Sequence, residues 1–132
     1  MPAPPSITTA AGSAKVKITA RAEYLPDIKI PGGAFCFGYQ ITVANIGKVR
    51  LQLVSRRWEI TDGDGETREV RGEGVVGKQP HISPGYAFTY TSYVDLSTPA
   101  GSMVGAYSML AGDTRFNADI PRFSLAVPGA VH

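Results

Sequence analysis

The stretch Lys15-Val16-Lys17-Ile18-Thr19-Ala20-Arg21-Ala22-Glu23-Tyr24 alternates polar and apolar side chains without a break. Successive Cβ atoms of an extended chain point to opposite faces. Val16, Ile18, Ala20, Ala22 and Tyr24 therefore share one face, and Lys15, Lys17, Thr19, Arg21 and Glu23 share the other. A period of two with one charged face is the pattern of an antiparallel strand half covered by a core.

The same period continues downstream. Phe35, Phe37, Tyr39, Ile41 and Val43 line one face of the next segment, and the turn Asn45-Ile46-Gly47-Lys48 ends it. The third strand changes phase: Leu51 and Leu53 put the core on odd positions, whereas Trp58 and Ile60 put it on even ones. A strand changes parity only by inserting a residue, so a β-bulge is expected within Val54 to Arg57. Asp62-Gly63-Asp64-Gly65 reads as a tight hairpin turn, and Glu66 to Arg71 returns beside it. Tyr86, Phe88 and Tyr90, then Met103 to Leu110, then Phe116 to Leu125 interrupted by Pro121, supply the remaining strands. No amphipathic helix of three turns fits anywhere. Seven to eight short strands with regular turn signals predict an all-β, immunoglobulin/fibronectin-III-like antiparallel β-sandwich. Trp58 suits its interior, and the cysteine pair of antibody domains is absent.

The 132 residues fit one domain. Met1 to Ala14, rich in Pro, Ala, Ser and Thr with Ile7 as its one large apolar residue, is expected to be a flexible tail. Residues 15–126 form the predicted domain and 127–132 a second tail. The hydrophobic fraction of 43% and charged fraction of 18% are those of a globular chain. A net charge of +2, from 13 basic and 11 acidic residues spread along the chain, is no nucleic-acid footprint. No run approaches the ~20 apolar residues of a membrane helix, so neither nucleic acid nor membrane is expected as a partner. A single cysteine, Cys36, and the lack of a charged-then-apolar leader favour a cytoplasmic setting.

One motif carries chemistry on its face. Gly72-Glu73-Gly74-Val75-Val76-Gly77 is a literal G-x-G-x-x-G. The dinucleotide reading needs a helix to open after the glycines, and Lys78-Gln79-Pro80-His81-Ile82-Ser83-Pro84 supplies two prolines instead. What survives is an anion nest of backbone amides at Gly72, Gly74 and Gly77, flanked by Arg71 and Lys78, as a weak phosphate or nucleotide site. The plainer reading gives those glycines to a tight crossover between sheets. Metal chemistry has little to work with: His81 and His132 are the only histidines, and one cysteine makes no thiolate cluster. Asp62, Asp64, Glu66 and Glu73 match acidic positions of a calcium loop, but Thr67 stands where that loop needs glycine, and strands flank it. Cys36 reads as a packed thiol, and His81 with Ser83 lacks a nucleophile elbow. No catalytic residue, metal or cofactor is assigned, and an enzyme is not expected.

Two longer runs are more specific. Val54-Ser55-Arg56-Arg57-Trp58-Glu59-Ile60-Thr61-Asp62 and Val70-Arg71-Gly72-Glu73-Gly74-Val75-Val76-Gly77-Lys78-Gln79-Pro80 resemble the ApaG family, as do Tyr90-Thr91-Ser92 and Leu96-Ser97-Thr98-Pro99-Ala100-Gly101-Ser102-Met103. The resemblance extends from about Val16 to Leu125 and implies a fibronectin-III-like sandwich. It implies no catalytic residues. The family name has been attached to cobalt and magnesium resistance, which cannot mean a pore in a chain without a membrane segment. Similar eukaryotic domains lie beside F-box modules and in a DNA-polymerase-associated protein, which suggests protein interaction. The expectation is a small binding module with a protein partner, recognised by Gly72 to Lys78, Leu96 to Ser102 and neighbouring exposed aromatics.

Overall fold

A computed structural model describes residues 3–32 and 34–130. Nine strands form two antiparallel sheets packed as a sandwich: β1 Ser6–Ala11, β2 Ala14–Tyr24, β3 Phe35–Asn45, β4 Leu51–Asp62, β5 Thr67–Glu73, β6 His81–Ile82, β7 Ala87–Leu96, β8 Ala100–Ala111 and β9 Thr114–Ala126. One sheet runs β1-β2-β3-β7 and the other β5-β4-β8-β9, with β6 short beside β4. The opening stretch behaves as its alternation requires: Val16, Ile18 and Ala20 are fully buried while Lys15 and Lys17 are exposed.

The expected N-terminal tail is in part a strand. Ser6 to Ala11 pairs residue for residue with β2, from Ser6 opposite Thr19 to Ala11 opposite Ala14. The segment buries little, so backbone hydrogen bonding to β2 orders it, helped by the β-branched Ile7, Thr8 and Thr9. Met1, Pro2, Val131 and His132 lie outside the described residues. At the other end Val127 packs against the core, and its amide bonds Pro99 O at 2.9 Å.

A bulge resolves the parity change of β4, and a second bulge lies in β9, where the buried positions shift from even (Ala118, Ile120) to odd (Phe123, Leu125). Leu53 faces Met109 and Ser55 faces Ser108, which leaves Val54 as the extra residue of β4. In β9, Ile120 faces Gly105 and Phe123 faces Met103, so the ladder slips at Pro121 and Arg122. Pro121 does not interrupt the strand; the bulge absorbs the ladder bond that proline cannot make.

Between the sheets Trp58 meets Tyr39 edge-on at 5.4 Å and Phe123 at 5.8 Å. Asn45 is the one buried polar residue in the core inventory of the described chain, and it is satisfied. Its Nδ2 donates to Val49 O and Ile82 O, each at 2.8 Å, and its Oδ1 accepts from Gly47 N at 3.1 Å. The sandwich has two unlike seams. On one side β9 packs against β1 and β2. On the other, β5 and β7 are edge strands with a cleft between them.

Candidate functional site

The glycine motif lies on the open seam and closes as a hairpin. Val75 N donates to Lys78 O at 2.8 Å and Lys78 N to Val75 O at 2.9 Å, closing a two-residue turn over Val76 and Gly77. Both turn residues have positive φ, 43° at Val76 and 80° at Gly77, the signs of a type I′ turn. Gly74 N bonds Val54 O at 2.7 Å. Of the amides from Gly72 to Gly77, those of Gly74 and Val75 are thus spent within the fold.

The charge that meets the loop is Arg56, which shares the inner-face parity of Trp58 and Ile60 below the bulge. Its Nη1 donates to Glu73 O at 3.1 Å and to Gly74 O at 2.8 Å. The loop therefore turns carbonyls, not amides, toward its neighbouring charge. A Cβ at Gly72 would lie 2.7 Å from the Arg56 guanidinium, and one at Gly74 would lie 2.2 Å from Lys78 O. Those two glycines are explained by close approach. The flanking cations do not converge: Arg71 is on the outer face, paired with Glu69, and Lys78 is exposed at the hairpin base.

Val76 is the anomaly. A β-branched residue at φ 43° is strained, by about 1–3 kcal/mol, and its side chain is 52% exposed. Val76→Asn, which creates the Asn-Gly pair that type I′ turns favour, is expected to stabilise the domain by about 1 kcal/mol. Urea denaturation of the two proteins measures it; an unchanged midpoint would mean that the turn carries no strain.

Beneath the hairpin the cleft has a volume of about 420 Å3. Tyr39, Trp58, Val75, Tyr90 and Met103 form its floor and walls. Val70, Val76 and Tyr93 stand at its mouth. Arg68 straps the far end across the two sheets: its Nη2 donates to Asp95 O at 2.7 Å and lies 3.6 Å from the Asp95 carboxylate. At the near end the Tyr90 and Tyr107 hydroxyls hydrogen-bond to each other, and burial pushes both phenols well above the usual tyrosine range. Trp58 Nε1 is buried and, among the described residues, has no hydrogen-bond partner.

The wider recognition surface expected from sequence divides. Gly74 is tied to Val54, whereas the loop before β8 sits beyond Asp62, where Thr98 Oγ1 accepts from Gly63 N at 2.7 Å. Val54 and Asp62 are eight residues apart in one strand, about 26 Å. Gly72 to Lys78 and Leu96 to Ser102 are therefore at opposite ends of the domain and cannot form one patch. Asp62 serves its turn: Oδ1 accepts from Asp64 N at 2.9 Å and Glu66 N at 3.1 Å. Cys36 is buried, and burial, with Asp95 adding to it, raises its thiol pKa. His81 lies in β6 opposite Gln52.

The architecture and this loop have close counterparts. The family model described as the ApaG domain matches residues 29–111, from before β3 to the end of β8 and through the whole glycine hairpin. The chain belongs to the ApaG family. Protein ApaG of Pseudomonas paraeruginosa is 52% identical over 120 residues, covering 89% of this chain and 95% of that one. Protein ApaG of Nitrosomonas eutropha is 52% identical over 119 residues, covering 89% and 94%. A crystal structure from Bordetella pertussis, assigned as an ApaA protein, superposes with a TM-score of 0.81 at 36% identity, over 98% of this chain and all of that one. The ApaG sandwich therefore spans nearly all of the chain.

Proposed function

We propose that the domain is a non-enzymatic protein-interaction module whose partner docks on the open seam between β5 and β7. One observation carries the reading. Val70, Val76 and Tyr93, exposed by 37%, 52% and 67%, are brought from three separate segments to the mouth of a single cleft. Clustered exposed apolar groups around a concavity mark interaction sites.

The strand beside the cleft supports it. Tyr86 O accepts from Asn45 N within the sheet, whereas Asp95 O accepts from the Arg68 side chain outside it. Alternate residues of an antiparallel strand direct their backbone groups to alternate sides, so Ala87, Thr89, Thr91 and Tyr93 present N–H and C=O groups to the free edge. Edge strands are usually protected by charge, proline or a bulge. β5 carries Arg68, Glu69, Arg71 and Glu73; β7 carries Asp95 alone, and its ladder with β3 is unbroken. An unprotected edge accepts a partner strand by backbone pairing. The single buried cysteine is compatible with the cytoplasm, where we place the protein.

Affinity capture with matched variants tests this. The double variant Val76→Asp, Tyr93→Lys should fold with an unchanged thermal midpoint and lose the proteins that the parent captures, while Lys78→Ala keeps them. Identical captured sets from parent and double variant would sink the proposal. Loss with Lys78→Ala alone would return the anion reading of the glycine loop.

A further inference from the structure

β7 ends its sheet and, among the described residues, pairs with no strand on its far side. The ladder with β3 fixes which of its backbone groups are free. Tyr86 O accepts from Asn45 N, so even-numbered residues turn their N–H and C=O toward β3 and odd-numbered ones turn them outward. The free run has defined ends. At one end Asp95 O already accepts from Arg68 Nη2 at 2.7 Å, and at the other Gly85 N already donates to Asn45 O at 2.9 Å. Between those stops lie Ala87, Thr89, Thr91 and Tyr93, each with a donor and an acceptor unspent among the described residues.

That set is its own complement. Laid antiparallel against a copy of itself, with a two-fold axis at Tyr90, the strand sets Ala87 opposite Tyr93 and Thr89 opposite Thr91. Every free donor then meets a free acceptor. A slip of two residues one way sets Ala87 against Asp95, whose carbonyl Arg68 holds. The opposite slip sets Tyr93 against Gly85, whose amide Asn45 holds. A slip of one residue sets free groups against groups committed to β3. Only one register satisfies the edge.

The side chains fit the same register, in which cross-strand neighbours share a face. Tyr93, 67% exposed, meets Ala87, and Phe88 meets Ser92, so each large side chain faces a small one. Tyr86, 71% exposed, falls opposite the apolar Val94. These two tyrosines are the most exposed large apolar residues of the described chain, and tyrosine is enriched at protein interfaces. Ala87 to Val94 carries no charge, so no like charges are set face to face.

We propose that the partner strand is β7 of a second copy of this chain, which joins the two four-stranded sheets into one across a two-fold axis. The inference rests on the protein-docking reading and names its occupant. An isologous contact needs a self-complementary surface, and this edge is one in backbone groups, side-chain size and charge. The stops at Gly85 and Asp95 lie equally far from Tyr90 in sequence, as a two-fold axis requires and a foreign strand does not.

Sedimentation equilibrium of the full chain reads the outcome. The parent should be a dimer with a Kd below about 100 µM. The variant Thr89→Lys, Thr91→Lys sets lysines opposite each other on an exposed face and should be monomeric, with an unchanged thermal midpoint. Thr89→Glu, Thr91→Glu should be monomeric alone, and an equimolar mixture of the two variants should restore the dimer. Under oxidation, Thr89→Cys should cross-link to Thr91→Cys in a mixture, and neither to itself. A dimer that both charged variants retain would overturn the inference, as would self-cross-linking as ready as the mixed reaction. A parent still monomeric at about 1 mM, while capture of other proteins depends on Val76 and Tyr93, would end self-pairing and leave the docking seam standing.

Discussion

Trp58→Ala should lower the unfolding free energy by about 3–5 kcal/mol, the range for truncating a large buried aromatic. The indole touches both sheets: it leans on Tyr39 of β3 and on Phe123 of β9, and those two rings also meet, at 6.1 Å. Removing it leaves a void that neither sheet can fill without giving up its own ladder. Urea denaturation followed by far-ultraviolet circular dichroism measures the loss. A cost below about 1 kcal/mol would mean that the cleft already behaves as a void which its walls can close.

The buried tyrosine pair makes a second large effect, visible only in alkali. Burial holds Tyr90 and Tyr107 neutral in the folded protein and raises both pKa values. In the unfolded chain each phenol ionises near the ordinary value of about 10. Above that pH the unfolded state binds fewer protons than the native state, so stability falls as pH rises. The contribution is complete below pH 10 and is lost as pH climbs toward and through the folded values. Each hydroxyl adds up to about 1.4 kcal/mol per pH unit, so the pair adds up to about 2.7. Denaturation midpoints from pH 8 to 11 should drop steeply in the parent and less in the double variant Tyr90→Phe, Tyr107→Phe. Tyr107→Phe alone should be the worst protein at pH 7, about 1–3 kcal/mol down, because it strands the Tyr90 hydroxyl. Equal slopes in parent and double variant would show that the pair does not resist ionisation.

The strands were legible because burial writes a period of two into them. The phase change between Leu53 and Trp58 even placed the bulge within Val54 to Arg57, and the structure puts it at Val54. β1 was not legible: Ser6 to Ala11 is half exposed, and its order comes from backbone bonds that leave no mark on composition. Pro121 misled because a proline inside a strand and a proline inside a bulge look alike in one dimension. The glycine motif was legible as a sequence pattern, but the hairpin it forms was not. Its spacing states where Cβ atoms are forbidden, not what forbids them, and Arg56 lies sixteen residues upstream of Gly72. Nothing local distinguishes Arg56, which faces inward, from Arg57, which faces out; only the bulge decides, and its exact residue sets which arginine enters the cleft.

The closed seam has a consequence for how the chain reaches this state. β9 seals the side of the sandwich formed by β1 and β2, so contacts that bury Val16 and Ile18 join residues about a hundred positions apart. Chain closure over such a separation must be completed before the contacts reward it, which slows folding of β-rich topologies. On the ribosome the first hairpin can form early, but its apolar face stays uncovered until Thr114 to Ala126 has emerged. For that interval the nascent domain exposes a ready surface for chaperones, and for mispairing with a neighbouring chain.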